Sequence, residues 1–107
     1  MKANREKNVH SALHQLLEKK LEHYYRLTML AIQKAEIQKG LSSSEQKIAE
    51  DFLQMAKNYF SDANHFKQKE ELLTALAAYS YAHAWLDAGV RAGLLDGKGD
   101  DKLFVLP

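Results

Sequence analysis

The chain has 107 residues with 15 Lys and Arg against 14 Asp and Glu, a net charge of +1, and no cysteine. That is enough chain for one domain with one modest core. The missing cysteines exclude disulfides and thiolate metal sites and suit a reducing compartment. The near-zero net charge argues against a strongly basic nucleic-acid surface.

Charge is unevenly placed: residues 1–39 carry eight basic and four acidic side chains. A local excess of that size on a long helix is what a solvated face carries, so nucleic-acid binding through the first helix ranks as a weak alternative. The start, MKANREKNVHS, lacks the apolar stretch of a secretory leader. No run approaches the ~18 apolar residues of a membrane span. The expectation is a cytoplasmic chain without a membrane partner.

The only proline is Pro107, so nothing breaks a helix internally. The first predicted helix runs from about Glu6 to Lys39. Its apolar row is Leu13, Leu17, Leu21, Tyr24, Thr28, Ala31 and Ala35, three or four apart, widened by Leu16, Leu27 and Leu30. Gly40 is placed to close it in a left-handed conformation, with Leu41 following. Ser42 with Glu45, or Ser43 with Gln46, offers a capping box for the second helix.

The second helix is predicted from about Ser44 to Phe66. It carries two adjacent seams: Ile48, Phe52, Met55, Tyr59 and Phe66, beside Ala49, Leu53, Ala56, Phe60 and Ala63. A softer boundary falls near Lys67–Glu71. The third helix then runs to about Ala92 and stops at Gly93, with Leu72, Leu76, Tyr79, His83, Leu86 and Val90 as a heptad seam. Short connections make neighbouring helices antiparallel, so the fold class is all-α, an up-down-up three-helix bundle. The domain is placed at 1–95. Residues 96–107 are expected to form a flexible charged segment, then an apolar tail, Leu103–Leu106, packing on the bundle or donated as a strand to a partner.

The third helix is apolar almost all the way round. Its polar row is narrow: His83, Asp87 and Arg91 at i, i+4 and i+8, with Ser80 beside them. Two readings follow. As a site, Asp87 orients His83 as an acid or base and Arg91 binds an anion. As structure, an Asp87–Arg91 pair fixes helix register while His83 donates to a carbonyl or to Asp87. One helix alone lacks the converging groups of a catalytic centre, so the reading leans away from an enzyme. The surplus apolar face points instead to an interface with a second copy or another protein, with Tyr81, Trp85, Ala78, Ala82 and Gly89 as its candidates.

The remaining candidates are weaker. His10 and His14, four apart, have chelating spacing, but no third ligand is identifiable; no cofactor is expected. Arg5 and His10 share an Arg-x4-His spacing too short to carry an activity. The acidic run from Asp96 to Asp101 has Lys98 among its would-be calcium ligands. Tyr25, beside Lys19, Lys20 and Arg26, is the one ring of the Tyr24–Tyr25 pair left to stack a base.

The stretch SYAHAWLDAGVRAGLLD, from Ser80 onward, resembles the signature of an archaeal family of small proteins called domain of unknown function 357. Ser80, Tyr81, Ala82, Trp85, Leu86, Asp87, Ala88, Gly89, Val90, Arg91 and Gly93 carry the resemblance, and IAEDFLQMAKNYFSDANHF and KLFVLP extend it. Ala84 stands where the family commonly has Gly, and Lys69-Glu70-Glu71 stands where it often has a Gly-Asp turn. The resemblance implies a three-helix bundle and no activity.

Overall fold

The computed structural model describes residues 2–107, with side chains from Asn8 onward. Among these it holds three helices, α1 (Lys2–Lys34), α2 (Ser43–Gln68) and α3 (Leu72–Arg91), and a two-residue ladder between β1 (Glu36–Ile37) and β2 (Leu95–Asp96). The fold is an all-α three-helix arrangement. The α3 helix packs along both α2 and α1, while α1 and α2 touch far less. The molecule is long and thin, 66 × 25 × 17 Å. The α3 helix lies between the other two helices, which explains much of its apolar girth.

The first helix ends earlier than its pattern predicts. It stops at Lys34, and residues 36–38 run extended, with Gln38 N–H donating to the Leu94 carbonyl at 3.0 Å. Continued helix would turn Ile37 away from the face that buries Ala31 and Ala35. Unwinding lets Ile37 and then Leu41 pack onto the core around Leu86, Leu95 and Phe104. Gly40 has φ +77° but closes this loop, not a helix.

Capping fixes the other boundaries. Ser42 Oγ accepts from Glu45 N–H at 3.2 Å and Glu45 Oε1 accepts from Ser42 N–H at 3.0 Å, the reciprocal box that starts α2. The α3 helix ends in a Schellman motif: Gly93 (φ +75°) donates to Val90 and Leu94 donates to Gly89. The α2 helix ends the same way, with Glu70 N–H to Lys67 and Glu71 N–H to Phe66. Here the left-handed residue is Glu70 at φ +59°, where a glycine would be unstrained.

The core differs from the predicted seams in two places. In α2 the inner seam is Ala49, Ala56 and Ala63, all fully buried, while Ile48 faces solvent. In α1 burial begins only at Leu21; Val9, Leu13 and Leu16 are exposed because that part of α1 projects beyond the α2–α3 turn. In α3, Tyr79, His83, Leu86 and Val90 are buried as the heptad seam requires.

Candidate functional site

The polar row of α3 is turned toward the chain's own tail. His83 Nε2 donates to the Leu103 carbonyl at 2.6 Å. That fixes the ring's other nitrogen, Nδ1, as the partner of Thr28 Oγ1 at 3.1 Å. One turn on, Asp87 Oδ1 accepts from Val105 N–H at 2.9 Å, and one further turn on Arg91 donates to the Leu106 carbonyl at 2.7 Å. The i, i+4, i+8 spacing therefore reads the backbone of the tail as it leaves the turn at residues 101–103 and runs along the helix. No Asp87–Arg91 ion pair forms among the described residues; His83 and Asp87 approach to 3.9 Å.

Phe104 anchors that tail. It is 3% exposed and belongs to the main apolar cluster. The ring lies so close to Gly97 that a Cβ there would come within 2.8 Å of it. The approach to Phe104 is set by Asp100, whose carboxylate accepts from Lys102 N–H (3.0 Å), Leu103 N–H (3.1 Å) and Lys34 Nζ (2.7 Å). The Lys34 ammonium, then the two backbone donors, hold the Asp100 carboxyl below its ordinary range. Lys98 Nζ sits 2.7 Å from Glu36 and 3.7 Å from Asp96, so the acidic segment is neutralised from within its own loop.

A shallow cleft of about 430 Å³ opens beside this row, lined by Tyr24, Ser80, His83, Asp87 and the tail. Both nitrogens of His83, one oxygen of Asp87 and one guanidinium nitrogen of Arg91 are already used internally. The row thus holds structure where a catalytic arrangement would need free groups converging on one point.

The candidate interface residues divide. Ala82 and Gly89 are fully covered within the chain, and a Cβ at Gly89 would lie 2.5 Å from Leu95 Cδ1, so neither is available to a partner. Ala78 is half-buried against the Tyr79 cluster. Tyr81 is 49% exposed, stacked edge-on against Tyr59 at 4.4 Å. Trp85 is half-buried, edge-on to Phe52 at 5.1 Å, with its indole N–H unpartnered. Between them lies an apolar hollow of about 240 Å³ lined by Phe52, Tyr81, Ala84, Trp85 and Ala88.

The other candidates do not converge. His14 Nε2 pairs with Glu18 at 2.9 Å on the projecting part of α1, and His10 is exposed near it. Among the described residues no group of three or more His, Cys, Asp or Glu stands where it would hold a metal. The Arg5 side chain lies outside the described residues. Tyr25 is engaged, stacked on Phe60 at 5.6 Å with Lys67 Nζ 4.3 Å from its ring centre. A hollow of about 540 Å³ where α1 crosses the α2–α3 turn is lined in part by Glu22 and Lys67, which already pair with each other. None of the described helices is long and apolar enough to cross a membrane.

Sequence reasoning missed Thr28 as the partner of His83 and Phe104 as the tail anchor. Thr28 carried a signal: it is a hydroxyl in the core row of α1, and it ends 0% exposed, facing a histidine in the core seam of α3.

No curated protein and no solved structure matches the chain. A family model does, over residues 23–95, which span the end of α1 and all of α2 and α3 and stop short of the KLFVLP tail. The chain belongs to the family described as protein of unknown function (DUF357).

Proposed function

We propose that the protein is a non-catalytic interaction module that works through the outward face of α3. The observation that carries this reading is a solvent-facing helix surface without charge. From Leu72 to Leu86 the sequence has no Asp, Glu, Lys or Arg. Yet Leu73, Ala77, Tyr81, Ala84 and Ala88 lie on one side of α3 and all are exposed. Exposed helix positions ordinarily carry charge, and a contiguous apolar patch with aromatics is the mark of a binding surface. Against a catalytic or anion-binding reading at His83, Asp87 and Arg91 stands their engagement with the tail backbone. Against nucleic-acid binding through α1 stands the packing of Tyr25.

A photo-crosslinking amino acid at Ala77 tests the reading, with the same group at exposed Lys57 on α2 as control. In the cells that make the protein, Ala77 should give one discrete adduct and Lys57 none. No adduct at Ala77, or equal adducts at both, contradicts the reading.

A further inference from the structure

We propose that the occupant of this face is a second copy of the same chain, docked antiparallel with a two-fold axis passing between Ser80 and Tyr81. The inference rests on the reading just given and names the partner. Its basis is that the face is complementary to itself only in that orientation.

Leu73 projects from the first turn of α3 and is 72% exposed. At the other end of the same helix lies the hollow beside Ala84 and Ala88, walled by Phe52, Tyr81 and Trp85. Antiparallel pairing about the 80/81 position sets Leu73 of each copy opposite Ala88 of the other, and Ala77 opposite Ala84. The projecting leucine of each copy then meets the hollow of the other, and the alanines let the helices approach. The contact is made twice by symmetry, as an isologous interface requires.

Charge agrees with the same register. Glu70 and Glu71 precede α3, and Arg91 ends it; Glu70 and Arg91 are both exposed. The antiparallel register sets Glu70 of one copy opposite Arg91 of its mate, at both ends of the pair. Parallel pairing stacks like charges at each end and puts Leu73 against Leu73, leaving both hollows empty. The single bond from Arg91 to Leu106 leaves guanidinium donors for a carboxylate.

The experiment uses the full chain, which has no native cysteine. Sedimentation equilibrium should give twice the 12.2 kDa chain mass. Leu73→Glu should weaken association at least about a hundredfold, because two apolar anchors are lost together. Its helicity should stay unchanged, since Leu73 is 72% exposed on its own chain, while its melting falls to that of the single chain. For register, Leu73→Cys chains are mixed with Ala88→Cys chains and treated with a short bis-maleimide. Predominant 73–88 linkage supports the proposal. Predominant 73–73 linkage overturns the antiparallel register. A dimer that survives Leu73→Glu but is broken by Leu13→Glu, on the projecting part of α1, overturns the α3 interface itself. A single-chain mass at every concentration overturns the second copy as partner; an adduct of other mass at Ala77 then leaves the interaction reading standing.

Discussion

At the residue scale, two side chains carry measurable conflict with their surroundings. Glu70 is held at φ +59° because the α2–α3 connection needs a left-handed residue to close the Schellman bonds. A side chain there costs about 1–2 kcal/mol relative to an unstrained backbone. Glu70→Gly is expected to raise stability by about 1 kcal/mol, read as a higher urea midpoint with an unchanged slope. Tyr79 is the second case. It is fully buried and donates to Asn64 Oδ1. Burial first, then the neighbouring Tyr25 and Glu22, push its phenol up to about 12 from an ordinary value of 10.0. The folded state therefore holds that proton more tightly than the unfolded chain. The resulting stability is complete below pH 10 and is lost as pH rises towards 12. Tyr79→Phe should flatten the fall in unfolding free energy across that window, beside a shallower contribution from Lys98, whose ammonium is favoured chiefly by Glu36.

At the scale of elements, the tail is a latch. His83, Asp87 and Arg91 take the backbone of residues 103, 105 and 106, and Phe104 fills the core between them. Phe104→Ala should cost about 3 kcal/mol or more. It should also abolish exchange protection of the Val105 amide, which Asp87 provides; retention of that protection would show that the polar row holds the tail unaided. This element also marks where the sequence is readable. The capping box at Ser42 and the glycine stop at Gly93 are local chemistry, and both stand where the residues put them. The row on α3 was legible as a row, but its partners are main-chain groups 15 to 20 residues away, which leave no residue-type signal. The β1–β2 ladder is two residues long, too short to show an alternating period, and it ends α1 five residues before Lys39 by rescuing Ile37 for the core. Full burial on α2 fell on the alanine seam, flanked by rings that meet α3 at their edges, Phe52 on Trp85 and Tyr59 on Tyr81.

At the scale of the whole molecule, α3 is the central helix, packed against both α2 and α1. One face of the middle helix is buried and the other is apolar and uncharged, which is the surface the proposed second copy would cover. The family match covers residues 23–95, which include all of that face and the polar row at His83, Asp87 and Arg91, while the projecting start of α1 and the tail that row holds lie outside it. The single tryptophan, Trp85, lines the hollow and reports directly on whether the face is covered. Acrylamide quenching of Trp85 fluorescence is the most direct measurement. The account predicts protection at high protein concentration that disappears on dilution, and that Ala84→Glu removes at every concentration without loss of helicity. Quenching that is independent of concentration and unaltered by Ala84→Glu would contradict it.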